Sequence, residues 1–379
     1  MNCNNCGGTM RYDIESYGLV CDSCGAVRKL RRPEEGVIVG ETDLTDAVRA
    51  AGKDWGVSSR IVECNSCGAR MIYANDQLSG MCPFCGSSVV LSAEDADCGI
   101  APNAIIPFSI PKDDVIKRFY RWNRFAFWAP EKFRKGKVLG NPTPLYVPFW
   151  TFSADAVITY SARFGYEIGT GDDRKVSWKI KNGIAETHIS DQSICGSRKF
   201  SSDAMLNKVA AFKTEDLMEY SPDILSGMAA EIYTVGVDEA WNNVMRGKFR
   251  KLAMDAAMKH EGADLYKDMR FSVEYSNIKF RYALIPVWLS GCRYKGKIYN
   301  MVSSGYDLRG NCNRPVSVLK LVVPLILLFI GTLLSYRLGF PGLFIDAVIV
   351  LVAVAIIAYT VVFIKTLAAQ NAEARKKRP

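Results

Sequence analysis

Eight of the twelve cysteines fall before residue 86 in four Cys-x-x-Cys pairs, a spacing that belongs to metal ligands. Cys3, Cys6, Cys21 and Cys24 form two pairs separated by fourteen residues, and Cys64, Cys67, Cys82 and Cys85 repeat the arrangement sixty-one residues later. A Cys-x-x-Cys turn supplies two thiolates from one tight loop, so two turns close a tetrahedral site and leave no position for water. The sequence therefore predicts two structural Zn2+ ions, one per four-cysteine ribbon. Rubredoxin-like iron stays open as the rival metal, because the same four thiolates suit it. A thioredoxin-like dithiol would use a single pair inside a βαβ unit. Glycine follows the second cysteine of every pair, as Gly7, Gly25, Gly68 and Gly86, where the backbone must turn tightly for its amides to face the thiolates.

Other reactive residues are sparse. Cys98, Cys195, Cys292 and Cys312 are scattered along the chain, and His188 and His260 are the only histidines. His188 lies seven residues before Cys195, but a half-buried thiol near a surface histidine explains the pair without catalysis. Asp113 with Asp114 suits a helix N-terminus, and Asp172 with Asp173 suits a hairpin turn. The chain has no GxxxxGK[ST] phosphate loop and no GxGxxG after a strand. The expectation is a protein that is not an enzyme.

The elements that must position these residues divide the chain into ribbon 1 (1–32), a linker with one short helix (33–60), ribbon 2 (61–98) and a central α+β domain (99–315). The linker carries the basic run Arg28–Arg32 at its edge and a capped helix over Thr42–Gly52. In the central domain a helix starts at Pro111, a β-hairpin joins Ala156–Phe164 to Arg174–Ile180, residues Asp203–Lys267 read as mostly helical, and Phe271–Tyr299 returns to strands around Gly296. Val147-Pro-Phe-Trp150 is echoed by Ile285-Pro-Val-Trp288, a hint of two related halves. Lys117–Lys137 interleaves eight basic residues with seven aromatics, which could contact phosphates and stack bases. The aromatics also fit the core stripe of a helix, and that reading is preferred.

Val316–Tyr336 and Leu343–Ile364 are apolar stretches of just over twenty residues, each with one charge, Lys320 or Asp346. At 1.5 Å per residue each reaches about 30 Å, so the sequence predicts two transmembrane helices with a basic tail at 365–379. Basic residues flank the pair on both outer ends, which places both termini and all other domains in the cytoplasm of an integral cytoplasmic-membrane protein. The N-terminus has no secretory signal pattern, so the thiols stay reduced. The net charge of +9 suits either a nucleic acid or an anionic lipid surface.

The chain resembles a family of bacterial membrane proteins described as TFIIB-type zinc-ribbon-containing, sometimes labelled primosomal-helicase-like. The resemblance covers nearly the whole chain and rests on the two ribbons together with Ile105-Ile-Pro-Phe108, Phe127-Trp-Ala-Pro130, Tyr146-Val-Pro-Phe-Trp150, Tyr220-Ser-Pro222, Leu225-Ser-Gly227, Leu284-Ile-Pro-Val-Trp288 and Lys295-Gly-Lys-Ile-Tyr299. Relatives continue with an NGQTGK-like turn where this chain has Ser303-Ser-Gly-Tyr-Asp-Leu-Arg309. The resemblance implies a scaffold associated with SPFH-domain or phage-shock-A-type proteins in membrane-stress assemblies, and it names no reaction. The functional expectation is a membrane-anchored, non-catalytic adaptor within a hetero-oligomer on the lipid bilayer; the alternative is a membrane-tethered nucleic-acid-binding protein.

Overall fold

The structure is a computed structural model that describes residues 2–30, 39–45, 55–56, 59–65, 69–74, 79–82, 88–90, 99–169, 174–198, 209, 211–317, 320, 330–331 and 337. Two compact units share the chain. One comprises Met1–Pro107, Leu145–Asn207 and Ala211–Ile285, the other Phe108–Pro144, Lys208–Ala210 and Pro286–Pro379. In chain order the strands are β1 (Met10–Asp13), β2 (Gly18–Cys21), β3 (Val27–Lys29), β4 (Thr42–Asp43), β5 (Ser59–Glu63), β6 (Arg70–Ala74), β7 (Ser79–Met81), β8 (Ser88–Val90), β9 (Ala104–Ile105), β10 (Thr143–Ile168), β11 (Lys175–Cys195), β12 (Met218–Glu219), β13 (Ala229–Glu231), β14 (Leu265–Tyr294), β15 (Lys297–Ser304) and β16 (Gly310–Cys312).

The first unit holds a small sheet, β1–β2–β3, and a larger one ordered β12-β9-β14-β10-β13-β6-β5, with β11 on β10 and β4 on β14. Its long strands have two regimes. Leu145–Ala154 of β10 and Phe280–Leu289 of β14 are buried on both faces, while the outer part of β10 alternates between buried and exposed and that of β14 between half-buried and exposed. Ile158, Tyr160, Ala162 and Phe164 on the alternating part of β10 pack with Ala253 and Ala257 of the helix Arg246–His260. Alanine at those two positions lets the helix lie close to the sheet. The hairpin expected over Ala156–Ile180 is present but longer, β10 and β11 pairing from Phe149↔Cys195 to Ile168↔Lys175 with a one-residue register shift between Phe152 and Ala154.

In the second unit the helix Lys112–Asn123 begins after Pro111, with Asp113 and Asp114 in its first turn and Val115, Phe119 and Asn123 buried. The end of β14 pairs with β15, and β15 with β16. Tyr294 opposes Lys297 across a loop of Lys295 (φ 48°) and Gly296 (φ 75°), the doubly positive pattern of a two-residue hairpin turn.

The two Pro-x-Trp segments are held alike. The Gly196 amide donates to the Pro148 carbonyl at 2.8 Å, and the Gly196 carbonyl accepts from the Thr234 and Val235 amides at 2.9 Å each. The Gly305 amide donates to the Pro286 carbonyl at 2.9 Å, and its carbonyl accepts from Ser109 and Ile110 at 2.9 Å each. Trp150 Nε1 donates to the Val235 carbonyl at 2.8 Å, and Trp288 Nε1 to the Ile110 carbonyl at 3.0 Å. Each long strand also takes a short parallel neighbour, Leu145 beside Ala229 and Ala283 beside Ala104. One geometry is built twice, yet 104–110 precedes its long strand and 229–235 follows its own.

A Cβ on Gly305 would overlap the Phe108 ring and lie 2.8 Å from Pro286 Cβ, whereas a Cβ on Gly247 meets nothing within 4 Å. Gly305→Ala should therefore lose about 1–3 kcal/mol in a denaturant titration, from overpacking. Gly247→Ala, inside a helix, should be neutral or gain up to about 1 kcal/mol. Equal effects of the two would contradict this packing.

Several expectations need correction. The region 99–315 is predominantly β-sheet and not the expected α+β domain; the doubly buried Leu145–Ala154 part of β10 lacks the alternation that marks a strand in sequence, and β12 and β13 lie in a stretch expected to be helical. Within Asp203–Lys267 the described helices are two short 3-10 turns, Thr214–Asp216 and Pro222–Leu225, and the run Val237–His260 with a π turn at Trp241–Met245, interspersed with β12 and β13. The C-terminal transmembrane hairpin is not supported: among the described residues no helix is long and apolar enough to cross a membrane. Of 316–336 only Val316, Ser317, Lys320, Ile330 and Gly331 are described, and 343–364 and the tail 365–379 lie outside the described residues. The integral-membrane placement, with its cytoplasmic topology and membrane-stress setting, falls with that hairpin. The linker helix lies mostly outside the described residues; at its start Asp43 accepts from the Thr45 amide at 2.9 Å and from its hydroxyl at 2.6 Å.

Candidate metal centre

Cys3, Cys6, Cys21 and Cys24 converge, each offering a sulfur within 4.8 Å of the other three. Cys3 Sγ lies 3.7 Å from Cys24 Sγ, and Cys6 Sγ lies 3.5 Å from Cys21 Sγ. A metal–sulfur bond of about 2.3 Å puts tetrahedral sulfurs about 3.8 Å apart, so the cluster has the dimensions of a four-thiolate metal site.

Local backbone geometry builds the cluster. The Cys3 amide donates to the Gly8 carbonyl at 2.7 Å and the Cys21 amide to the Ala26 carbonyl at 2.9 Å, while Gly7 and Gly25 return amides to Cys3 and Cys21 at 2.8 and 3.0 Å. Both glycines have positive φ, 73° and 70°, as their place after the second cysteine requires. The freed amides turn toward sulfur. The Asn5 amide lies 3.4 Å from Cys3 Sγ, and the Ala26 amide, followed by the Cys6 thiol, draws Cys24 down to about 6. The Cys24 amide lowers Cys21 in the same manner. At Cys6 the Gly8 amide pulls downward, but shared hydrogen bonds with the Cys24 and Cys21 thiols push it up to about 12. A cation would relieve that crowding by taking all four as thiolates.

The small sheet that carries the site is anchored within its unit. The Tyr12 amide donates to the Ser226 carbonyl at 3.0 Å, and Arg28 pairs with Asp223 at 2.7 Å. Arg28 of the basic run is thus engaged in an ion pair; Arg31 and Arg32 lie outside the described residues.

For the second cysteine set, Cys64 and Cys82 are buried, each 1% exposed, and Cys67 and Cys85 lie outside the described residues. Its first turn repeats the ribbon-1 pattern: the Cys64 amide donates to the Ala69 carbonyl at 2.9 Å. In all four pairs the first cysteine stands six residues before the residue that resumes β pairing, at Thr9, Val27, Arg70 and Ser88. β6 joins the large sheet through β13, with Ile72 opposite Ala230.

The other candidates separate. Cys195 is buried and its thiol is pushed up to about 12 by desolvation. His188 is exposed and its Nδ1 lies 2.7 Å from Asp155 Oδ1; Asn277 donates to the other oxygen at 2.6 Å. The Asn277 bond, then His188, lowers the Asp155 carboxyl. Cys195 and His188 therefore have different neighbours and form no nucleophile pair. Asp172 and Asp173 lie outside the described residues. Within Lys117–Lys137, Phe119 and Phe133 are buried at 2% and 0%, while Phe125 and Phe127 are 47% and 40% exposed.

Sequence spacing missed one cluster. Cys292 Sγ and Cys312 Sγ lie 3.8 Å apart. They are twenty residues apart with no motif between them, and only the β14–β15–β16 register brings them together.

No family model matches the chain. No solved structure matches it. A curated relative, the uncharacterized protein YdjG of Bacillus subtilis (strain 168), is 22% identical over 306 residues, which cover 77% of this chain and 83% of that protein.

Proposed function

We propose that this chain is a non-catalytic adaptor whose ribbons are stapled by two zinc ions, Cys3, Cys6, Cys21 and Cys24 holding one and Cys64, Cys67, Cys82 and Cys85 the other. The four-thiol geometry of ribbon 1 supports the first ion, and the matching Cys64 turn supports the second. Zinc in a closed tetrahedron shapes a surface and has no open position for a substrate. The resemblance to TFIIB-type zinc-ribbon proteins agrees with a scaffold role.

The observation that carries the adaptor reading is the edge of β11. Among the described residues this strand of Lys175–Cys195 pairs only with β10, and its outward residues Ile180 and Ile184 are 74% and 62% exposed. An open, apolar edge of that length is a template for a further strand. Residues 175–185 contain no acidic residue and the basic Lys175, Lys179 and Lys181, of which Lys181 is paired with Glu261 at 2.6 Å, so Lys175 and Lys179 carry the positive charge of this stretch. A second copy would bring the same positive charge to the edge, so the occupant that fits is an extended segment of another protein with alternating apolar and acidic residues.

Selection of peptides from a random library against the full chain should enrich that pattern, with affinity falling at least about tenfold in Ile180→Lys and Ile184→Lys. Peptides that lack acidic residues or bind both variants unchanged would sink the reading. The nucleic-acid alternative rests on exposed Phe125 and Phe127 within a basic stretch. Retarded migration of an oligonucleotide at low salt, lost on raising salt, would favour it instead.

A further inference from the structure

Resting on the docking role proposed for the β11 edge, we infer that the bound segment is read on both faces of the sheet, Lys175 and Lys179 selecting acidic residues on one face and Ile180 and Ile184 selecting apolar residues on the other. Successive residues of a strand point to opposite faces, and residues directly opposite in an antiparallel ladder share a face. Lys179 pairs with Phe164, and Ala185 with Ile158. Phe164, Ile158 and Ala185 pack with Ala253 and Ala257 of the helix Arg246–His260, so the odd-numbered residues from Lys175 to Ala185 stand on the helix side. Ile180 pairs with Arg163 and Ile184 with Thr159, both exposed, so the even-numbered residues stand on the face that the helix leaves open.

The two faces differ in chemistry. On the open face Ile180 and Ile184 are joined by Val176 and Trp178, 37% and 36% exposed. Trp178 lies across Gly165, where a Cβ would stand 3.0 Å from its ring, and the Lys267 ammonium sits over that ring at 4.3 Å. Arg163, opposite Ile180, is neutralised by Asp268. On the helix side Lys181 is held by Glu261, whereas Lys175 and Lys179 have no acidic partner among the described residues. Farther along β11 the open face carries Glu186 and the helix side Thr187 and Ile189. The unpaired lysines of this edge are confined to one end.

An added strand continues the same alternation. Its residue beside Lys179 is acidic, its residues beside Ile180 and Ile184 are apolar, and its residue beside Glu186 is not acidic. The acids therefore cluster at one end of the segment and fall out of phase with the apolar positions. Lys175 and Lys179 are specificity-determining residues, because charge at an exposed rim chooses partners more than it adds affinity.

The test takes peptides selected against the full chain and treats each complex with a carbodiimide, which joins a carboxylate to an amine in contact with it. Links from the peptide's acids should map to Lys175 and Lys179 and not to Lys267, whose ammonium lies on the open face. Peptides with those acids replaced by the corresponding amides should bind about five- to tenfold more weakly at low salt, a difference that vanishes at high salt. Selection against the double variant Lys175→Glu, Lys179→Glu should return the same apolar positions with Lys or Arg in place of the acids. Links to Lys267, or acids still selected by the double variant, overturn the two-faced assignment and leave the edge reading intact. Absence of any peptide sensitive to Ile180→Lys and Ile184→Lys sinks both.

Discussion

Replacing Cys21 by serine should empty the first ribbon and unfold β1–β3 while β10 and β14 keep their protection from hydrogen exchange. The reason is size. The ribbon's own core is little more than Met10, Tyr12 and Leu19, buried at 5%, 5% and 0%, and fewer than thirty residues cannot outweigh their conformational entropy with so small a core. Metal binding supplies the difference, since the apparent binding free energy of a structural four-ligand zinc site is about 10–16 kcal/mol near neutral pH. Serine removes one soft thiolate from a cluster whose sulfurs already stand 3.5 and 3.7 Å apart, and its hydroxyl stays protonated. Bound metal should fall by one equivalent, and the amides of Cys3, Tyr12 and Cys21, which donate to Gly8, Ser226 and Ala26, should exchange freely. A chelator should produce the same exchange pattern in the unmodified chain. Cys195→Ser, which changes a thiol outside both cysteine sets, should leave metal content untouched. If Cys21→Ser kept its full metal content and its amide protection, the ribbon would be held by something other than metal.

That site was legible because its information is local. Two ligands sit three residues apart, a glycine follows, and the positive φ at Gly7 and Gly25 is what the spacing requires. The Lys295–Gly296 turn and the β10–β11 hairpin were legible for the same reason, though the hairpin's length was not. β10 runs from a stretch buried on both faces into alternation, and a continuous apolar run does not distinguish strand from helix. The error of reading Asp203–Lys267 as helical has a related cause. Elements of two to four residues such as β12, β13 and the 3-10 turn Pro222–Leu225 are specified by the strands beside them, not by their own periodicity. The apolar stretches after Val316 show how a length-and-hydropathy argument can run ahead of the fold, since no described helix spans a membrane. Cys292 and Cys312 looked scattered because strand register, which no short-range pattern encodes, brings them within 3.8 Å.

The Pro-x-Trp echo was visible in sequence, but its energetic content is not, and it leads to the second large expected effect. Trp150→Ala should lower stability by about 3–5 kcal/mol, the usual range for deleting a buried aromatic side chain. Trp150 is fully buried, with ring centres of Tyr282, Tyr233 and Phe280 at 4.7, 5.1 and 5.8 Å. Trp150→Phe separates packing from hydrogen bonding. Phenylalanine retains much of the aromatic contact but cannot donate to the Val235 carbonyl, which Trp150 Nε1 reaches at 2.8 Å. An unsatisfied buried acceptor costs about 1–3 kcal/mol, so the Phe variant should fall between the native chain and the Ala variant. Trp288, 3% exposed and bonded to the Ile110 carbonyl at 3.0 Å, should give the same order of effects, Ala worse than Phe. In each case the amides that donate to the neighbouring glycine, Thr234 and Val235 or Ser109 and Ile110, should lose exchange protection first, because the indole fixes the carbonyl of the second residue of that pair. A Trp150→Phe variant within about 0.5 kcal/mol of the native chain would mean that the indole nitrogen contributes nothing and that the repeated bond is incidental to the fold.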